Sequence, residues 1–283
     1  MTQALKSKSQ MTLIHSLLYI INPLINRNLR MLHLLIQSDM LKSIMFELPD
    51  GYLRNKLESN DNSNGKDYWA SSVKDSYQDP AYKWVRKNLI DKVSEDSTIV
   101  EIGCGNGNKT HSHFSKLKNP VIGIDQASGI RQAEKIQPNH TFEWCISDIE
   151  NDEVWCNRIS AANPSIIVCF DVIEHLEHPD KFLNKLRNVS RNSLVVMSTP
   201  DRNQLEHQEF FGPPLNPLHV QEWSKIEFKR FLLKNDFSIE HSISIYPRSY
   251  NFLRIWEIVR IIHRLLVFKK IPDRKSCQLW VLS

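Results

Sequence analysis

Ser97-Thr-Ile-Val-Glu-Ile-Gly-Cys-Gly-Asn-Gly-Asn-Lys-Thr110, followed by Val121-Ile-Gly-Ile-Asp125, is the stretch whose reading decides the fold. The apolar run Thr98–Ile102 has the length and β-branching of a buried strand, and Lys109–Lys118 can form a helix. Between them stand Gly103, Gly105 and Gly107, three of only eight glycines in the chain. Glycine so concentrated marks a backbone that takes positive φ or lets a ligand approach where a Cβ would collide. The second run, Val121–Ile124, ends in Asp125, an acid placed where a doubly wound fold hydrogen-bonds the ribose hydroxyls of a nucleotide.

Spacing narrows the nucleotide. A dinucleotide fingerprint requires a third glycine at position 108, where this chain has Asn108. The pattern is instead Glu101-x-Gly103-x-Gly105-x-Gly107, with an acid two residues before the first glycine. A carboxylate there would repel a pyrophosphate and suits a cationic ammonium. The pattern resembles the first motif of class I S-adenosylmethionine-dependent methyltransferases. The resemblance implies an α/β fold with a Rossmann-like, mostly parallel seven-stranded sheet and helices on both faces. It also implies S-adenosylmethionine as cofactor, held by Glu101, Gly103, Cys104, Gly105, Gly107, Asp125 and Gln126.

Further strand ends follow in order. His140–Cys145 reads as a third strand, and Asp148 after it matches the acid that accepts from the adenine amino group in this family, with Ile149 packing on the ring. Ser165–Phe170 is a fourth, buried strand, and Asp171-Val-Ile-Glu-His175-Leu-Glu-His178-Pro179 follows at its carboxyl end, where ligands of open parallel sheets sit. The segment is similar to the D/E-V-I/L-E-H segment of methyltransferases related to the ubiquinone-biosynthesis O-methyltransferases, which adds Asp171 and Val172 to the cofactor site. Glu101, Asp125, Asp148 and Asp171 lie 24, 23 and 23 residues apart, one strand-plus-helix unit each, as right-handed crossovers require. Pro179 starts a helix to about Asn188, and Ser193–Ser198 is a fifth strand. Ser198-Thr-Pro, the Gly212-Pro-Pro loop and His219-Val-Gln-Glu-Trp223 resemble methyltransferases of bacterial surface-glycan biosynthesis. Ser224 with Glu227 makes a capping box for a helix to about Lys234. Phe237–Tyr246 alternates as a strand, and Cys277–Leu282 is its expected antiparallel partner.

The outer segments set the domain organisation: an N-terminal helical arm with a polar linker over 1–78, and the methyltransferase domain over 79–283. Ile14, Leu17, Leu18, Ile21, Leu24 and Ile25 recur at helical spacing, and Glu58–Gly65 is a polar low-complexity run. His15, Ser16, Asn22 and Pro23 interrupt the apolar run, and no small-residue cleavage site follows, which argues against a spanning helix or secretory signal. Pro80 opens a helix to about Val93, which resembles the leading helix of methyltransferases that covers the cofactor.

A helical insertion is expected over about 250–268. Arg248–Lys275 carries eight Lys/Arg against Glu257 and Asp273, a local +6 in a chain of net +4, so the remainder is near −2. That basic helix is a candidate for peripheral membrane contact or scaffold docking. Five cysteines without metal spacing read as small hydrophobes in a reducing, cytoplasmic setting. A hydrophobic fraction of 41% with 24% charged residues supports an ordinary globular chain rather than a disordered one.

The expected reaction is transfer of a methyl group to a hydroxyl, on a sugar or glycan, including a lipid-linked one; a quinone or small phenol is the alternative acceptor. A hydroxyl must lose its proton, and histidine is the natural base. His175 is the first candidate and His219 the second, with Glu174 orienting or capping and His178, Glu177 and His207 in solvent. Asp171, Glu174, His175 and His219 also resemble, imperfectly, the metal-holding E-x-x-E-H and distal histidines of small-RNA 3′-end 2′-O-methyltransferases. Here the first acid is Asp171 and the distal pair is reduced to His219, so no metal is assigned. No arginine-aromatic interleaving of an RNA groove is present, so nucleic acid is not the expected partner.

Overall fold

The apolar runs become the strands of one sheet, and the polar punctuation between them becomes its crossovers. A computed structural model describes residues 48–49, 51–56, 78–136, 142–204, 211–245 and 277–283. The chain divides into two units, Met1–Met45 and Phe46–Ser283. The first unit, the polar run 58–65 and the insertion expected at 250–268 all lie outside the described residues.

Seven strands stand in the order β3-β2-β1-β4-β5-β7-β6. They are β1 (Ile99–Ile102), β2 (Val121–Asp125), β3 (Phe142–Ile146), β4 (Ile166–Phe170), β5 (Leu194–Pro200), β6 (Ile239–Ile245) and β7 (Cys277–Leu282). The first five are parallel, with Ile102 opposite both Ile124 and Cys169. β7 runs antiparallel to β6, as expected, and also to β5. All residues of β1, β4 and β7 are buried, as expected of strands covered on both faces. One apolar layer gathers Ile102, Ile124, Trp155, Phe182, Met197 and Trp280. The other gathers Tyr82, Val85, Phe114, Val168, Phe170 and Leu279. Cys104, Cys156, Cys169 and Cys277 are buried free thiols and Cys145 is half-buried, consistent with small apolar packing.

The helices are α1 (Asp79–Asn88), α2 (Asn108–Phe114), α3 (Ala127–Ala133), α4 (Val154–Ala162), α5 (Pro179–Val189) and α6 (Lys225–Lys234). α1 starts with a proline in its first turn and ends with Arg86 and Lys87 facing the negative end of its dipole. α6 carries the expected capping box, in which the Ser224 N–H donates to Glu227 Oε2 at 2.7 Å and the Glu227 N–H returns to the Ser224 hydroxyl.

α2 stops four residues short of the end its composition allows. Pro120 disfavours helical backbone at Asn119, whose side-chain amide instead donates to the carbonyls of Ser94 and Ser97 at 2.8 and 3.0 Å. α3 was not legible in the sequence, because Gly129 in its middle argues against a helix. A Cβ at Gly129 would lie 2.7 Å from the Gly105 carbonyl oxygen, so tertiary packing of this helix on the glycine turn selects the residue. Among the described residues no helix is long and apolar enough to cross a membrane.

Candidate functional site

β1 ends in a corner that only glycine can make. Gly103, Gly105 and Gly107 take φ of 77°, 58° and 72°. A Cβ at Gly103 would stand 2.1 Å from Val172 Cγ2, and one at Gly107 would stand 2.7 Å from the Trp144 ring. The corner is tied to the end of β2: the Gly105 N–H donates to Asp125 Oδ2 and the Gln126 N–H to Oδ1, both at 2.7 Å. The loss of hydration in this crevice pushes the Asp125 carboxyl up to about 6. Gly103, Cys104, Gly105, Gly107, Asp125 and Gln126 therefore come together as the sequence implied.

Beneath the corner lies Glu101, 1% exposed. The Tyr82 hydroxyl of α1 donates to its Oε1, while Oε2 has no hydrogen-bond partner among the described residues. Burial raises this carboxyl to about 7. Tyr82 is itself held between the stacked His113 ring, with centroids 4.7 Å apart, and the edge of Phe170 at 4.8 Å. The Cys104 thiol, buried beside Asp125 and Glu101, is pushed well above its ordinary range and is inert packing.

The end of β3 adjoins β2 through the Ser147 N–H, which donates to the Asp125 carbonyl at 3.0 Å. Asp148 stands there as expected, with its carboxylate also bracing the next turn: it accepts from the Glu150 and Asn151 N–H groups at 3.0 and 3.2 Å. Ile149 packs partly buried against the core. Asp171, just past β4, takes φ 53°, a conformation few non-glycine residues hold. The Ser198 hydroxyl at 2.8 Å and the Gln78 amide at 3.1 Å fix its carboxylate. Val172 follows and abuts Gly103. Asp171 thus holds a strained backbone at the carboxyl edge of the parallel sheet, where ligands of such sheets sit.

A second group of side chains stands on the short turn Ile173–His175 and on the loop before α6. The Val220 and Gln221 N–H groups donate to the Glu174 carbonyl, joining turn and loop. The His175 and His219 rings meet edge to face with centroids 4.8 Å apart. His175 Nδ1 donates to the Leu218 carbonyl at 2.8 Å, and His219 Nδ1 to the Glu222 carboxylate at 2.5 Å. Both acceptors fix the tautomer, leaving each Nε2 with its lone pair. Loss of hydration, then the neighbouring His219, lowers His175 to about 4, so it is neutral at physiological pH and a weak base on its own. Glu174 is fully buried and its acidity is suppressed by burial and by Asp171 nearby. One oxygen accepts from the Thr199 hydroxyl at 3.0 Å, and Oε1 has no hydrogen-bond partner among the described residues. Glu174, His175 and His219 each offer a ligand atom within 4.8 Å of the others. Asp171, grouped with them on sequence, is held instead by Ser198 and Gln78. His178 is exposed, as expected, and Glu177 half-buried; His207 lies outside the described residues.

Sequence reasoning missed the parts that hold this group in place. The Asn55 side-chain amide bonds the carbonyls of Pro214, Asn216 and His219 at 2.9 to 3.1 Å. The Tyr52 hydroxyl accepts from the Glu222 N–H at 3.1 Å, and its ring lies 4.9 Å from the Arg202 guanidinium. Arg202 Nη2 in turn donates to both carboxylate oxygens of Glu227, both side chains 1% exposed, and Nη1 donates to the Glu222 carbonyl. A strap far away in sequence carries no periodic signal of such contacts.

The profile of the methyltransferase-domain family matches residues 75–242. A putative methyltransferase, 235L, of Invertebrate iridescent virus 6 is 38% identical over 72 residues, covering 24% of this chain and 26% of the viral protein, so the match spans about a quarter of that relative. Among solved structures, a SAM-dependent methyltransferase from Anabaena variabilis superposes with a TM-score of 0.59 at 14% identity, covering 83% of this chain and 99% of that one. A putative methyltransferase from Haloferax volcanii, solved with the Trm112 activator, gives 0.55 at 13% identity over 80% and 98%. The plantazolicin methyltransferase BamL, solved with a desmethyl substrate analogue and SAH, gives 0.51 at 16% identity over 78% and 90%. With more than half of its length matched by the family profile, the chain belongs to the methyltransferase-domain family, and its seven strands have the fold of S-adenosylmethionine-dependent methyltransferases.

Proposed function

We propose that the protein methylates a hydroxyl oxygen of a sugar or glycan, a lipid-linked one included. The observation that carries this reading is the meeting of two unlike sites at the carboxyl edge of the sheet. One is the glycine corner with Asp125; the other is the Glu174, His175 and His219 group, which begins two residues after Val172, the side chain packed at Gly103. S-adenosylmethionine supplies a methyl group already electrophilic on its sulfonium. Positive-φ glycines spare the space a Cβ would take, Glu101 beneath the corner is the carboxylate suited to the ammonium, and Asp125 offers lone pairs to ribose hydroxyls.

What this chain's residues must then do is orient the acceptor, exclude water and weaken the acceptor's hold on its proton. A hydroxyl needs that last step, and two imidazoles with free Nε2 lone pairs beside a buried carboxylate are suited to it. The Gly212-Pro-Pro and His219-Val-Gln-Glu-Trp223 loop, pinned by Asn55, is the segment whose resemblance to glycan-modifying methyltransferases supports a sugar acceptor. The test is transfer of tritiated methyl from S-adenosylmethionine into fractionated cell extract. Counts in the polysaccharide and glycolipid fractions support the reading. Counts confined to quinones and small phenols would replace the acceptor, and counts in no fraction would overturn it.

A further inference from the structure

We infer that Glu174, His175 and His219 hold one divalent first-row transition-metal ion, which receives two neighbouring hydroxyl oxygens of the acceptor. The inference rests on the proposed hydroxyl acceptor and adds a metal to that site. Three features point to an ion. The donor atoms converge within 4.8 Å from two segments that share backbone hydrogen bonds, so the group is assembled by the fold. Each imidazole donates its Nδ1 hydrogen to an oxygen, Leu218 O for one and Glu222 Oε1 for the other. That is the arrangement by which proteins orient a metal-binding histidine and direct Nε2 at the ion. Finally, Glu174 is 0% exposed and its Oε1 has no hydrogen-bond partner among the described residues, although a buried carboxylate oxygen left unsatisfied is costly. A cation held by the three converging donor atoms would relieve that unsatisfied carboxylate.

The donor set narrows the ion. Two imidazole nitrogens and one carboxylate oxygen suit Mn²⁺, Fe²⁺, Co²⁺ or Zn²⁺ over Ca²⁺ and Mg²⁺, which prefer oxygen alone. Three protein donors leave two or three positions open, the number that adjacent hydroxyls fill by chelation. A cation so placed lowers the proton affinity of a hydroxyl. The hydroxyl proton passes to water, the oxygen lone pair forms the new C–O bond, and the methyl–sulfur bond breaks with its electron pair kept by sulfur. The products are a methyl ether and the neutral thioether S-adenosylhomocysteine, so charge and atoms balance. Neither histidine need then act as the base.

The test uses the full chain, stripped with chelator and titrated with Mn²⁺, free Mn²⁺ being read from its electron paramagnetic resonance signal. We expect one Mn²⁺ per chain. Glu174→Gln and His219→Ala should each weaken uptake at least about tenfold, and Glu222→Gln by about tenfold through the lost imidazole anchor. S-adenosylhomocysteine affinity in the same samples serves as the folding control and should not change. Chelation by the acceptor is read from the visible spectrum of the Co²⁺-loaded protein, which a methyl glycoside with free cis hydroxyls should shift and its deoxy analogue should not. Wild-type protein that takes up no more Mn²⁺, Co²⁺ or Zn²⁺ than His219→Ala, while still binding S-adenosylhomocysteine, would overturn the metal and leave methyl transfer standing. A spectral shift given by the 3′ end of an oligoribonucleotide and not by the glycoside would overturn the glycan acceptor.

Discussion

Gly103 and Gly51 form an internal experiment on how the glycine corner is built. Their φ angles are nearly equal, 77° and 78°, so alanine at either pays the same torsional cost, about 1–2 kcal/mol. Their surroundings differ. A Cβ at Gly51 meets nothing within 4 Å, whereas one at Gly103 would stand 2.1 Å from Val172 Cγ2. Relief of that overlap must move Val172 or the strand end, an overpacking cost of about 1–3 kcal/mol. Gly103→Ala should therefore lose about 2–5 kcal/mol in urea unfolding, and Gly51→Ala only about 1–2. Val172→Ala removes the clashing methyl group. The double variant Gly103→Ala/Val172→Ala should thus be more stable than the sum of the two single losses by about 1–3 kcal/mol. Midpoints should shift with little change in slope, so that stability rather than denatured-state compactness is being read. Equal losses for Gly51→Ala and Gly103→Ala, to within about 0.5 kcal/mol, or strict additivity in the double variant, would refute the claim that the corner is closed against Val172.

Other outcomes follow from the same contacts. Glu227→Gln leaves the Arg202 guanidinium buried opposite a neutral amide and should cost about 3–5 kcal/mol in urea unfolding; a loss below about 1 kcal/mol would mean that the pair is dispensable. Ser224→Ala removes one half of the capping box and should cost about 1 kcal/mol, read from the thermal midpoint. Glu101 titrates near 7 in the folded chain against an unfolded value of 4.5, so the folded state holds the extra proton between those pH values. Below about pH 4.5 both states are protonated and there is no penalty; as pH rises through 7, about 3 kcal/mol of stability is lost. Glu101→Gln keeps the Tyr82 bond without that proton, so its stability advantage over wild type should grow from pH 5 to pH 8. An advantage that stays flat over this range would contradict the assigned titration.

How much of this was legible in the sequence depends on whether a feature is local. The strands were, because runs such as Ile166–Phe170 and Val121–Asp125 are short, β-branched and punctuated by glycine or acid. The corner was, because glycine at 103, 105 and 107 has a backbone reason visible without coordinates. α3 was not, since Gly129 weakens its propensity and only the carbonyl of Gly105 explains that residue. At the site, Asp125 and the glycines came together as read, and the two histidines met. The partition of the acids did not follow from spacing: Asp171 and Glu174 stand three residues apart, yet one is bound by Ser198 and Gln78 and the other faces the histidines. A turn of three residues sends neighbouring side chains in different directions, and no pattern of residue types records which. The strap of Tyr52 and Asn55 was invisible for a simpler reason, that its partners lie some 160 residues downstream.

The central claim is that a sulfonium nucleoside rests on the glycine corner with its ribose held by Asp125. Isothermal titration of the full chain with S-adenosylhomocysteine tests it most directly. The account predicts one molecule bound per chain, with affinity reduced at least about tenfold by Asp125→Ala, equivalent to about 1.4 kcal/mol. No binding by the wild-type chain, or equal affinity in wild type and Asp125→Ala, would contradict it.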